Sequence, residues 1–134
     1  MATVVIGNVK KVFQKEAAEI VALHDTSLTI ETGSFFCLMG PSGSGKSTLL
    51  NMIAGIDRPT SGVIFVDDEE ITRFSEAALA VWRNHTIGFV FQTFNLIPVL
   101  TAFENVELPL LLTKLSRSAR RDHVETALSL VGLG

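Results

Sequence analysis

One cysteine, Cys37, stands among 134 residues, so an internal disulfide is excluded and a reducing compartment is the expectation. Histidine is scarce too: His24, His85 and His123 are scattered, and with that one thiol they offer no metal-ligand spacing. Positive charge is not in excess. Eleven Lys+Arg against fourteen Asp+Glu leave a net charge of −3, which removes the electrostatic case for nucleic acid as a partner. Any anion must then be held by local geometry. The basic cluster Lys114, Arg117, Arg120 and Arg121 is short and reads as a solvated helix face. The N-terminal residues lack a basic start, a sustained apolar stretch and a small-residue cleavage site, so no secretory signal is expected and the cytoplasm is the predicted location. No uninterrupted apolar run reaches the roughly 20 residues of a membrane span. The uncharged stretch from Asn84 to Phe103 is broken by Asn84, Gln92, Asn95 and Pro98. Internal repeats and low-complexity linkers are absent. At 47% hydrophobic and 19% charged, the chain has the material of a packed core, and its length excludes two full domains.

What is present has an order. Thr3 to Phe13 and Leu23 to Ile30 alternate weakly and carry β-branched residues, which predicts two strands of an antiparallel layer followed by a turn at Glu31-Thr32-Gly33-Ser34. Phe35-Phe36-Cys37-Leu38-Met39 is a continuous apolar run of strand length, expected to be covered on both faces, with Cys37 as core filler. The period then changes. Leu49, Leu50, Ile53 and Ala54 fall at helical spacing, ending near Gly55. Pro59 to Gly62 makes a turn, Val63 to Val66 a short strand, and Ser75 caps a helix running to about Arg83. Ile87 to Phe91 reads as another buried strand. Thr101-Ala102-Phe103-Glu104 is a capping box opening a helix that Pro109 should bend or end, and a last helix is predicted over Ser118 to Val131.

Between the Phe35–Met39 run and the first helix stands Gly40-Pro41-Ser42-Gly43-Ser44-Gly45-Lys46-Ser47, which fits G-x-x-x-x-G-K-[ST]. Chance produces this pattern at about one starting position in 30,000 given ordinary glycine usage, and the predicted strand before it and helix after it add independent weight. Each residue type has a chemical reason. Glycines let the backbone curl so that successive N–H groups face phosphate oxygens, and the helix start adds its positive end. Lys46 reaches the β- and γ-phosphates, and Ser47 offers a hydroxyl to Mg²⁺. The predicted ligand is therefore a nucleoside triphosphate with Mg²⁺, held by Gly40, Ser42, Gly43, Ser44, Gly45, Lys46, Ser47 and Thr48.

The surroundings of the loop narrow the family. Gly33-Ser34-Phe35-Phe36 before it, Leu49-Leu50-Asn51 and Gly55 after it, Pro59 to Gly62, and Ile87-Gly88-Phe89-Val90-Phe91-Gln92 followed by Phe94 to Pro98 resemble the nucleotide-binding subunit of ABC transporters. The run from Ile87 to Leu112, including Thr101 to Val106, is most similar to the lipoprotein-release and macrolide-export branch. The resemblance implies an α/β fold: a P-loop NTPase core on a mostly parallel sheet, an N-terminal antiparallel β layer, and an incomplete helical subdomain. Domain limits of 1–96 for the ATP-binding core and 97–134 for the start of the helical subdomain follow from it. It also implies ATP as the nucleotide and Gln92 as the residue of the Q-loop, helping to hold Mg²⁺ and the attacking water. Phe13 falls where the family stacks an aromatic, usually Tyr, on the adenine. The loop around Phe94 to Leu100 would receive a membrane-embedded transporter subunit, and two ATPase subunits would pair as a homodimer or heterodimer at the inner face of the membrane.

One stretch invites a different reading. Val63-Ile64-Phe65-Val66-Asp67-Asp68-Glu69 looks like a Walker B strand and would make Asp67 or Asp68 the activating carboxylate of a small P-loop kinase or phosphotransferase. Asp67 follows Lys46 too closely for that, because the helix and the Pro59–Gly62 turn consume the intervening residues. The family's own Walker B, its LSGGQ signature and its switch histidine have no match in these residues. The expectation is an N-terminal part of such a subunit that binds ATP and does not hydrolyse it alone, with a non-catalytic nucleotide- or partner-binding chain as a further alternative.

Overall fold

The computed structural model describes residues 2–15 and 18–134. The chain divides into two compact units, Met1–Gly88 and Phe89–Gly134.

The first unit is built on β1 (Ala2–Lys15), β2 (Ala18–Glu31), β3 (Ser61–Val66) and β4 (Glu69–Glu70). They form one sheet in the order β2-β1-β3-β4, with every pairing antiparallel. The weak alternation of β1 has a structural cause. Val4 and Ile6 face the core two residues apart, yet Val9, three residues further, is also fully buried. The register slips between Ile6 and Val9, and Asn8 takes φ 48° at that point. The extra residue of this bulge restores Val9 to the core face. Asn8 is held there by Ser27, whose Oγ accepts from Asn8 N at 2.8 Å and donates to Asn8 Oδ1 at 3.1 Å. Gly62 on β3 passes directly beneath the bulge at φ 93°, and a Cβ on it would meet Asn8 O at 2.5 Å. Glycine is obligatory at that crossing.

Helices α1 (Lys46–Ile53) and α2 (Glu76–Thr86) supply the other side of the core. Leu49 and Met52 of α1 and Leu79 and Trp82 of α2 join Val4, Ile6, Val9, Ile64, Val66 and Ile71 in one apolar cluster. Burying each of the larger side chains contributes about 1.5–3 kcal/mol. A 3₁₀ turn at Ile71–Arg73 leads from the sheet to α2, which Ser75 caps by accepting from Ala78 N at 3.2 Å. Arg58 binds this region together: its Nε donates to Glu76 Oε1 at 2.8 Å and its Nη1 to Thr72 O at 3.1 Å, while Nη2 donates to Phe74 O.

The second unit contains α3 (Ala102–Glu107), a 3₁₀ segment at Leu108–Leu112 and α4 (Arg117–Leu130). The Thr101–Glu104 capping box forms as expected, and α3 gives way to the 3₁₀ segment just before Pro109. Arg120 of α4 pairs with Glu107 of α3 at 3.2 Å, and Val124 of α4 is fully buried.

Two expected strands are not formed. Phe35–Met39 makes no ladder hydrogen bonds among the described residues, with Phe35 98% and Met39 88% exposed. Cys37 is exposed rather than core filler. Ile87–Phe91 likewise pairs with nothing, and within the second unit Phe89 and Phe91 stack on each other at 5.4 Å. An apolar run becomes a buried strand only where a neighbouring strand satisfies its N–H and C=O groups. No such neighbour exists among the described residues, so the sheet that forms is the antiparallel layer and the α/β character comes from its helices. His24 lies within β2.

Candidate functional site

The Gly40–Ser47 motif makes a loop that feeds straight into α1. Gly43 and Gly45 adopt φ 82° and 84°, which turns the chain toward the helix start. Gly45 is the tightest point. A Cβ there would meet the carbonyl oxygen of Ala22 at 2.5 Å and Leu23 Cδ2 at 2.9 Å, so the loop rests directly on β2. That support is itself irregular: Lys11 pairs with Leu23 while the next residue, Val12, pairs with Val21, leaving Ala22 as the bulged residue whose carbonyl the loop touches.

Lys46 folds back over the loop. Its Nζ donates to Gly40 O at 2.8 Å, to Pro41 O at 2.7 Å and to Ser44 Oγ at 3.1 Å, which uses all three ammonium donors on one rim. The start of α1 differs chemically from the other helix starts. Ser75, Thr101 and Ser116 cap α2, α3 and α4 through their side chains, whereas Gly45 gives α1 no side-chain cap and its first turn holds no acid. The N–H groups of Lys46, Ser47 and Thr48 therefore point out of the helix with the positive end of its dipole behind them. Uncapped donors, an ammonium and a first-turn hydroxyl on Ser47 fit a triphosphate. Of these groups only the Ser47 hydroxyl can serve Mg²⁺, which takes few protein ligands and completes its shell with phosphate oxygens and water. No group of three or more His, Cys, Asp or Glu that could hold a metal by itself occurs among the described residues.

Phe13 lies in the same unit near the end of β1, 40% exposed. Lys11, two residues earlier, places its Nζ 4.8 Å from the Phe13 ring centroid. That ammonium also donates to Asp57 Oδ1 at 2.6 Å and Arg58 O at 2.7 Å. Lys11 and Asp57 were not singled out from the sequence. Their separation along the chain leaves no local pattern, and the one available signal was a lysine and an aromatic at i and i+2 on one strand.

Gln92 belongs to the second unit, exposed at a bend after Phe91. The same unit holds the loop from Phe94 to Leu100, where Phe94 is 91% and Val99 88% exposed. Asn105 of α3 organises this loop. Its side chain accepts from Ile97 N at 2.8 Å and donates to the carbonyls of Ile97, Leu100 and Thr101 at 3.2, 3.1 and 2.9 Å.

Asp67 and Asp68 sit elsewhere, in the two-residue turn between β3 and β4, both at positive φ of 46° and 68°. A two-residue hairpin of this kind favours Asp and Asn for conformational reasons alone. The acids that imitate a Walker B strand are turn residues on an antiparallel pair.

Residues 23–134 match the sequence profile of the family described as ABC transporter. The chain is 47% identical over 128 residues to the uncharacterized ABC transporter ATP-binding protein YvrO of Bacillus subtilis, covering 96% of this chain and 56% of that protein. It is 39% identical to the macrolide export ATP-binding/permease protein MacB of Rhodopseudomonas palustris, covering 98% of this chain and 20% of that one. Among solved structures, the ATP-binding cassette MJ0796 of Methanocaldococcus jannaschii, in a dimeric post-hydrolysis state bound to ADP and Pi, superposes with a TM-score of 0.85 at 43% identity. That alignment covers 94% of this chain and 56% of the other. The chain thus spans about half the length of the ATP-binding proteins it matches. Among the described residues, no helix is long and apolar enough to cross a membrane.

Proposed function

The chain belongs to the ABC transporter family, and from that premise we propose that it is the ATP-binding part of a subunit that powers transport through a membrane partner. The phosphate loop carries this reading: an uncapped helix start, two left-handed glycines and Lys46 on one rim. On binding, Lys46 exchanges the carbonyls of Gly40 and Pro41 for phosphate oxygens, and the N–H groups from Gly43 to Thr48 take the rest. Ser47 lends its hydroxyl to Mg²⁺, which when bound neutralises phosphate charge. Phe13 stacks on the adenine, and Gln92 takes the part that the Q-loop resemblance implies, toward Mg²⁺ and the attacking water. Residues 1–96 act as the ATP-binding core and 97–134 as the beginning of the helical subdomain.

The partner side of the proposal rests on the Phe94–Leu100 loop. Its exposed apolar side chains, braced by Asn105, suit a helix presented by a membrane subunit. Pairing of two ATPase subunits is supported by the dimeric state of MJ0796. Work at the cytoplasmic face of a membrane follows from that partnership. A compact kinase using Asp67 or Asp68 is the weaker alternative, because the hairpin conformation already accounts for both acids.

The test is equilibrium binding of MgATP to the parent chain and to Lys46→Ala. Removing the charge-assisted phosphate contact should weaken affinity by about 1.5–3 kcal/mol. Affinities within twofold of each other, in samples that both fold, would refute the assignment.

A further inference from the structure

The Lys11 ammonium is placed unlike a surface lysine. Its side chain is 12% exposed, and it spends hydrogen bonds on the Asp57 carboxylate and the Arg58 carbonyl while lying against the Phe13 ring. Asp57 is fixed in turn, since its Oδ1 also accepts from Arg58 N at 2.8 Å and it belongs to the turn that follows α1. Lys11 and Phe13 share a face of β1. The ammonium therefore claims one side of the ring, while Phe13 as a whole stays 40% exposed.

We infer that Lys11, locked by Asp57, is a positioning residue for nucleobase recognition, holding the Phe13 ring from one side so that its other side meets a purine. This rests on the stacking role proposed for Phe13. The physics has two parts. A phenylalanine at a strand end samples several rotamers, and an anchored cation against one face selects one of them before the base arrives, which lowers the ordering cost of binding. The cation also draws on the negative π face it touches, and the opposite face becomes a better partner for an electron-rich base.

The experiment compares the affinity of the whole chain for MgATP with that for Mg-tripolyphosphate, which has the phosphates and no base. Phe13→Ala should lower the preference for ATP over tripolyphosphate and so tests the stacking role by itself. Lys11→Met and Asp57→Asn should lower that same preference about three- to tenfold with tripolyphosphate binding unchanged, and Lys11→Arg should restore most of it. A loss in Phe13→Ala with none in the Lys11 and Asp57 variants overturns the role of Lys11 and leaves stacking intact. No loss in Phe13→Ala overturns stacking and the Lys11 role with it. Equal losses for both ligands in Lys11→Met and Asp57→Asn make the cluster a structural one and also overturn the inference. Should Lys11→Met fail to fold, Asp57→Asn and Lys11→Arg carry the comparison.

Discussion

Asn105 and Ile97 exchange two hydrogen bonds across eight residues: Ile97 N donates to Asn105 Oδ1 at 2.8 Å, and Asn105 Nδ2 donates to Ile97 O at 3.2 Å. One amide side chain does the work of a short ladder, holding an apolar loop that has no strand or helix of its own. Asn105→Ala removes the acceptor and all three donated bonds at once. The loop should open at a cost of about 1–3 kcal/mol, seen as faster hydrogen exchange at Ile97 with little change in the first unit. Unaltered exchange at Ile97 would mean that the loop is held by its apolar contacts instead.

Gly45 offers a second test, because its strain and its contact act together. At φ 84°, with Ala22 O 2.5 Å from any added Cβ, Gly45→Ala forces either the loop or β2 to move. The expected loss of stability is about 1–3 kcal/mol, read from urea unfolding, with MgATP affinity falling further than stability does. A variant that keeps parental affinity would show that the loop does not depend on its seat against β2.

The capping box makes α3 sensitive to acid. Backbone and side-chain hydrogen bonds from Thr101 hold the Glu104 carboxyl below its ordinary value of 4.5. The folded state therefore favours the carboxylate, and the cap's contribution is complete above pH 4.5, beginning to fall there and vanishing once pH drops through the lowered value. Titration of the Glu104 side-chain carbon by NMR should report this, and Thr101→Ala should return it toward the ordinary value. A Glu104 midpoint at or above that value in the parent chain would contradict the cap.

Turnover is the fourth expectation. Under the proposed roles of Lys46 and Ser47 the loop holds phosphate and Mg²⁺, but residues 1–134 include no match to a Walker B Asp-Glu pair, an LSGGQ signature or a switch histidine. Loss of a single transition-state donor commonly costs 10²- to 10³-fold, so ATPase activity of the chain alone should equal that of Lys46→Ala. Lys46-dependent turnover on the order of 1 s⁻¹ would instead revive Asp67 or Asp68 as a catalytic group.

What could be read from the sequence was local. The phosphate loop is a run of consecutive residues whose types answer one chemical need, and the caps at Ser75 and Thr101 lie within three residues of the N–H groups they satisfy. The β1–β2 layer was visible despite the Asn8 bulge because β-branched residues persist on both sides of it. Phe35–Met39 and Ile87–Phe91 misled for the opposite reason. Hydrophobicity states a wish for cover and says nothing of what provides it, and strand pairing depends on a second segment. Lys11, Asp57 and Phe13 come together only after β1 and the turn following α1 are brought together, so no window along the chain contains all three.

The irregular register of β2 also bears on how this protein behaves in solution. Among the described residues β2 is a border strand of the sheet, 14 residues long, and a straight border of that length would be a template for another chain to add to. It is not straight. The bulge at Ala22 and the left-handed Asp25 at φ 45° interrupt its row of N–H and C=O groups, and Glu19, His24 and Asp25 put polar and charged groups along it. An incoming strand would find matching partners only for short stretches on either side. The same irregularity that seats the Gly40–Ser47 loop thus discourages strand addition at this border, and smoothing it by deleting Ala22 would trade the loop's support for a sticky edge.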